Sequence, residues 1–160
     1  MSKLQAEIKQ AKPFESIQAE LFLNLSRTAG AANHEVEKRL RPHGLSLTQY
    51  NVLRILRGAG APGLVQHEVG ERLVAQVPDV PRILTRMEKA GWIRRVRGTV
   101  DRRMLYVTLT EKGLGLVNDL DGDMGAAEFR LFEGMSQEDM ERMVELLVIA
   151  RSRLKGDRHS

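Results

Sequence analysis

Between Arg82 and Arg103 the chain carries eight basic side chains, Arg82, Arg86, Lys89, Arg94, Arg95, Arg97, Arg102 and Arg103, opposed by Glu88 and Asp101. That is +6 within 22 residues of a 160-residue chain whose formal net charge is +4, so the remainder carries −2. Charge gathered in one short segment is a counterpart for a polyanion. Arginine adds geometry to charge, because its planar fork bonds bidentately to guanine O6 and N7 or to phosphate oxygens. A merely solvated charged face would mix the two signs. The chemistry on offer is recognition, not turnover. There is no Gly-rich phosphate loop, no nucleophile elbow and no acid/base pair beyond chance spacing, so no enzymatic activity is expected.

Other classes fall away on composition. The absence of cysteine excludes a disulfide framework, a thiolate metal site and a thiol redox switch. His34, His43, His67 and His159 lack metal-ligand spacing, and neither a metal nor a cofactor is expected. Met87, Met104, Met124 and Met140 are scattered as core fillers rather than oxidant sensors. The first ten residues have no apolar stretch of the secretory kind. No apolar run approaches the roughly 20 residues that span a bilayer. A soluble cytoplasmic protein with no membrane partner is expected.

The basic residues need elements to aim them. Val80, Leu84 and Met87 recur at helical spacing, which leaves Arg82, Thr85, Arg86 and Lys89 on the other faces of the same helix. Asp79 is its expected N-cap, Pro81 lies in the first turn where a missing N–H costs little, and Ala90-Gly91 ends it. The period then changes to a strand from Trp92 to Arg97, a turn through Gly98 to Asp101 and a second strand to Leu109. Upstream, the positions from Phe14 to Leu40 mark a long amphipathic helix broken at Arg41-Pro42-His43-Gly44. Thr48 is the expected N-cap of a helix carrying Tyr50, Val52, Leu53 and Leu56. The segment Gly58–Gly63 reads as a loop, and a short helix holding Val69 and Leu73 follows. Downstream, Thr110 caps a helix with Leu114, Val117 and Leu120, and Ser136 opens a last helix through Met140, Met143, Leu147 and Leu154.

Helix, helix, short helix, turn, basic helix and basic hairpin is the order of a winged helix-turn-helix. The run Arg82-Ile-Leu-Thr-Arg-Met-Glu-Lys-Ala-Gly-Trp-Ile-Arg-Arg, with Asp101-Arg102-Arg103 and Thr110-Glu-Lys-Gly113 after it, resembles the MarR family of dimeric transcriptional regulators. The resemblance implies a mainly α fold with a small β-hairpin wing, flanked by N- and C-terminal dimerisation helices. It divides the chain into an N-terminal arm and dimerisation helix (1–46), a DNA-binding module (47–109) and C-terminal dimerisation helices with a tail (110–160). Arg82, Thr85, Arg86 and Lys89 would lie on the recognition helix in the major groove, reading bases or holding phosphates. Arg95, Arg97, Arg102 and Arg103 would form the wing, with Arg103 first and Arg102 second for the minor groove. Asp101 would orient a wing arginine, although an aspartate at a tight turn needs no such role. One departure is that Pro78 and Pro81 flank Asp79 where the family often has a hydroxyl residue.

The partners implied are double-stranded operator DNA, a second copy of the chain, and a small aromatic or anionic effector. Asn33, His34, Tyr50 and Arg54 fall near the junction where the resemblance places an effector, though polar residues beside helices are commonly just solvated. The competing reading is a winged scaffold for proteins, or an architectural binder without operator choice.

Overall fold

The computed structural model describes residues 2–98 and 102–155, with side chains as far as residue 153. Asp101, the candidate wing-orienting residue, lies outside the described residues. The elements in order are α1 (Lys3–Glu7), α2 (Ile17–Leu40), a 3-10 turn (Arg41–His43), α3 (Leu47–Ala59), β1 (Leu64–Val65), α4 (Gln66–Arg72), α5 (Val80–Lys89), β2 (Ile93–Arg97), β3 (Leu105–Leu109), α6 (Glu111–Asp119), α7 (Asp121–Leu131) and α8 (Gln137–Lys155). This is the mainly helical winged helix-turn-helix expected, with α4 and α5 as the helix-turn-helix and β2–β3 as the wing.

Local chemistry sets most boundaries. Ser16, Ser46, Asp79 and Thr110 each accept the N–H three residues on, satisfying a donor that the first helical turn leaves open. At α3 the cap is Ser46, not Thr48. Ser46 Oγ accepts from the Gln49 N–H (3.2 Å), and Gln49 Oε1 accepts from the Ser46 N–H (2.9 Å). That reciprocal box satisfies two donors at once, which Thr48 inside the first turn does not match. The loop is also shorter than its glycines suggest, because α3 continues through Gly58 to Ala59.

β1 is a third strand that the hairpin reading lacked. The sheet order is β1-β3-β2, all antiparallel, with Leu64 opposite Val107 and Arg95 opposite Val107 on the other side. Two residues are too short to show alternation. Gly63 permits the pairing: a Cβ there would overlap the Val107 carbonyl oxygen, and its φ of +98° suits glycine.

The chain divides into two compact units, residues 1–124 and 125–160, with the division inside α7. In the first, Leu40, Val52, Leu53, Val69, Leu84, Met87, Ile93, Val107, Val117 and Leu120 are fully buried and belong to one core. In the second, Ser136 Oγ accepts the Asp139 N–H (3.1 Å) at the start of α8. Among the described residues no helix is long and apolar enough to cross a membrane.

One polar tie holds α3 to the start of α7. Arg57 donates from both Nη atoms to the Asp121 carboxylate (2.8 and 2.9 Å) and from Nη1 to Asn118 Oδ1 (2.9 Å). Those hydrogen bonds hold the Asp121 carboxyl below the usual aspartate range, its burial opposing and the Arg57 charge assisting. A depressed carboxyl contributes stability at neutral pH and loses it as pH falls through the ordinary aspartate value toward its own. Asp121→Asn should therefore flatten the fall in urea midpoint between about pH 5 and about pH 3. An acid limb identical to that of the unmodified protein would remove Asp121 from the acid response.

Candidate nucleic-acid interface

The candidate interface begins at α5. Asp79 Oδ1 accepts the Arg82 N–H (3.1 Å), and Pro81 lies in the first turn. Leu84 and Met87 are fully buried, while Arg82, Thr85, Arg86 and Lys89 are all exposed. Steps of four and three place Arg82, Arg86 and Lys89 in one stripe opposite the buried pair. The helix is thus anchored by its apolar side with its cations outward. Thr85 sits at the edge of that stripe. Its hydroxyl proton goes to the Pro81 carbonyl (2.9 Å), so in this rotamer it cannot donate to a base.

In the wing, side chains alternate. Ile93, Arg95 and Arg97 share one face of β2, and Arg94 and Val96 share the other. Arg94 Nε donates to Thr108 Oγ1 (3.2 Å) across the strands. Arg97, Arg102 and Arg103 are exposed. The Gly98 N–H donates to the Met104 carbonyl (2.9 Å), closing the hairpin ladder before residues 99–101. Among the described residues no carboxylate pairs with Arg82, Arg86, Lys89, Arg97 or Arg102.

Arg95 behaves differently. Its Nη2 donates to Thr85 Oγ1 (3.0 Å) and to the Pro81 carbonyl (3.3 Å), and its Nε lies 3.8 Å from Glu88 Oε2. Glu88 Oε1 also accepts the Arg95 backbone N–H (3.1 Å). These contacts place the Arg95 face of the wing against α5, beside the basic stripe. Glu88, one of the two acids in the basic segment, is thus paired with Arg95 rather than with a cation of its own helix. A signal was present: Pro81, Thr85 and Glu88 stand at i, i+4 and i+7, one line along the helix.

The end of α5 is seated on the start of α6. Lys112 Nζ donates to the Ala90 carbonyl (2.8 Å), Thr110 Oγ1 to the Gly91 carbonyl (2.7 Å), and the Thr110 N–H to the Trp92 carbonyl (3.1 Å). Carbonyls that a helix end leaves open are thereby satisfied, with a cation placed favourably at the negative end of the dipole. The motif Thr110-Glu-Lys-Gly113 is the socket that fixes the helix-to-wing turn.

The candidate effector residues lie on α2 and α3. Asn33 and His34 are exposed on α2, and Tyr50 is buried in the core. The Arg54 guanidinium lies 5.9 Å from the centre of the Tyr50 ring. A cleft of about 400 Å³ opens elsewhere, on the outer face of the wing, between Leu56, Arg57, the Gly60–Pro62 turn, Arg94, Val96 and Leu114.

The model of the MarR family matches residues 45–105. The HTH-type transcriptional regulator MhqR of Bacillus subtilis is 30% identical over 127 residues, covering 79% of this chain and 86% of that protein. The homoprotocatechuate degradative operon repressor of Escherichia coli is 31% identical over 127 residues, covering 79% and 84%. The crystal structure of CouR from Rhodococcus jostii RHA1 bound to p-coumaroyl-CoA superposes with a TM-score of 0.72 at 27% identity, covering 84% of this chain and 93% of that one. The chain belongs to the MarR family of transcriptional regulators.

Proposed function

We propose that this regulator binds a pseudo-palindromic duplex operator as a homodimer and represses transcription from it. The observation that carries the reading is the cationic stripe of α5 lying beside a basic wing, with the apolar side of α5 buried. A protein scaffold would have no need of arginine on both elements. Within this reading Arg82 and Arg86 face base edges and Lys89 a phosphate. Arg97, Arg102 and Arg103 follow the backbone toward the minor groove, with Asp101 orienting a wing arginine. Residues 47–109 form the reading module, and the flanks 1–46 and 110–160 form the dimerisation region. The flanks support this separately: on α2, Leu21 and Phe22 are 65% and 66% exposed, and on α8, Val144 and Ile149 are 60% and 56% exposed. Apolar rows left open to this extent suit a second copy.

Repression is favoured by the named role of the Escherichia coli relative and by steric blocking of polymerase. A small aromatic or anionic effector is favoured by the ligand of CouR, with Asn33, His34, Tyr50 and Arg54 as candidate contacts. A cytoplasmic location and the absence of turnover complete the reading.

The test is binding of the full-length protein to duplexes from the intergenic DNA beside its gene, chosen for inverted repeats of roughly 16–20 base pairs. At one salt concentration the operator should be preferred over random duplex by about 10³-fold or more. Sedimentation should show two chains per site. Equal affinity for both duplexes would favour the architectural reading, and no affinity for either would favour the scaffold.

A further inference from the structure

We propose that Arg95 is a positioning residue: it is a strut, anchored at Thr85 and Glu88, that sets the wing at a fixed distance and angle from the recognition helix. The proposal rests on the DNA-binding reading above and adds a device that reading does not contain. β2 is an edge strand of the sheet. The N–H of Arg95 points away from β3 and is taken by the Glu88 carboxylate (3.1 Å). The side chain then lies along α5. Nη2 is bonded to Thr85 Oγ1 and the Pro81 carbonyl. Nε is buried with no hydrogen-bond partner, and the Glu88 carboxylate lies 3.8 Å from it. Of the guanidinium, Nη1 alone remains for anything outside. The Arg95 side chain is 21% exposed, so the residue is half-buried where Arg94, Arg97, Arg102 and Arg103 are exposed.

The charge accounting agrees with the geometry. Glu88 would repel phosphate if left alone, and beside Arg95 its charge is neutralised. The pair therefore adds nothing to the attraction for DNA. What it supplies is preorganisation. A helix in the major groove and a wing on the neighbouring backbone engage together only if their spacing is set beforehand, so that no ordering cost falls at binding. Arg95 bonds three points of α5 within two turns, Pro81, Thr85 and Glu88, and its own strand begins the wing.

The experiment compares Glu88→Gln, Arg95→Lys, their combination and Thr85→Val with the unmodified full-length protein, on operator and random duplex across a salt series. If Arg95 were a phosphate contact, Arg95→Lys would be nearly silent and Glu88→Gln would bind equally or more tightly. The strut requires the reverse. Arg95→Lys keeps the charge and the backbone bond to Glu88, but one ammonium cannot both bond Thr85 and Pro81, as Nη2 does, and lie beside the Glu88 carboxylate, as Nε does. Each single variant should lose about 10-fold in operator affinity, the loss expected for one hydrogen bond to a charged group. Affinity for random duplex should stay level or rise in Glu88→Gln, and the salt slope should stay unchanged in Arg95→Lys. The combination should be no worse than the more affected single variant, because both act on one contact. Thr85→Val, at an exposed helix position, keeps every charge and should lose operator affinity in the same direction.

Hydrogen exchange reads the strut without DNA: the Arg95 amide should exchange faster in Glu88→Gln, with the urea midpoint reported beside it. Unchanged operator affinity in Arg95→Lys and Glu88→Gln would overturn the proposal. So would a salt slope reduced by about 1, with equal loss on both duplexes, in Arg95→Ala measured alongside the series. Should the unmodified protein prefer no duplex, the operator reading fails, while the amide exchange still decides whether the strut exists.

Discussion

Gly113→Ala should cost about 2–4 kcal/mol of the stability of the first unit, whereas Gly115→Ala, two residues on in the same helix, should cost none. A Cβ on Gly113 would overlap the Trp92 carbonyl oxygen and come within 2.9 Å of the carbonyl carbon. Both atoms are backbone, so no side chain can swing aside. Relief requires α6 to move away from Trp92. That movement would break the Thr110–Trp92 bond, the Thr110 cap on Gly113 and the Thr110 hydrogen bond to Gly91. Overpacking of this kind costs about 1–3 kcal/mol, and loss of a cap adds about 1. The expected total is about 2–4 kcal/mol, a large fraction of the margin of a domain this size. At Gly115 nothing stands within 4 Å of an added Cβ. There alanine should stabilise α6 by up to about 1 kcal/mol through helix propensity. Urea unfolding at matched protein concentration measures both, since an oligomer's midpoint moves with concentration. A Gly113→Ala midpoint equal to that of Gly115→Ala would show that the socket yields more easily than its geometry implies.

Removing both recognition-helix arginines, Arg82→Ala with Arg86→Ala, should cut operator preference by at least about 30-fold while leaving the fold intact. Both side chains are exposed and lie opposite Leu84 and Met87, so truncation opens no cavity. A good bidentate arginine–guanine pair discriminates by about 1–3 kcal/mol, and two such pairs amount to a loss of at least about 30-fold. The loss should fall mainly on the operator, so that operator and random duplex approach one another. Arg103→Ala on the wing should instead weaken both duplexes and make the salt dependence shallower. A titration series in salt on the two duplexes separates the classes. If the double variant loses equally on both, Arg82 and Arg86 hold phosphates, and base reading must pass to other residues of α5.

Gly113 on one side, and Arg82 with Arg86 on the other, mark the division between long-range and local information in this chain. Most of what is decided within a helical turn is legible in the linear order of residues. The Asp79 cap, the Pro81 position, the Ala90-Gly91 stop, the Thr110 cap and the outward stripe of α5 each depend on partners three or four residues away. Spacing alone reveals such partners. The Thr48 expectation failed because two hydroxyl residues, Ser46 and Thr48, flank Leu47, and the reciprocal bonds to Gln49 decide for Ser46.

What lay beyond the linear order is set by docking. Whether Arg94 or Arg95 turns toward α5 depends on the register of β2 against β3, since one step reverses every side chain. Two neighbouring arginines of identical composition therefore have different tasks: Arg94 crosses to Thr108, and Arg95 is held by Thr85 and Glu88. β1 exists only because Gly63 lets one backbone approach another. Gly113 reads as an ordinary motif glycine until Trp92 is brought against it, and Arg57 meets Asp121 across 64 residues. Local hydrogen bonds are specified by covalent proximity, whereas these contacts form only when separate elements pack on a shared core, and their partners follow from that packing.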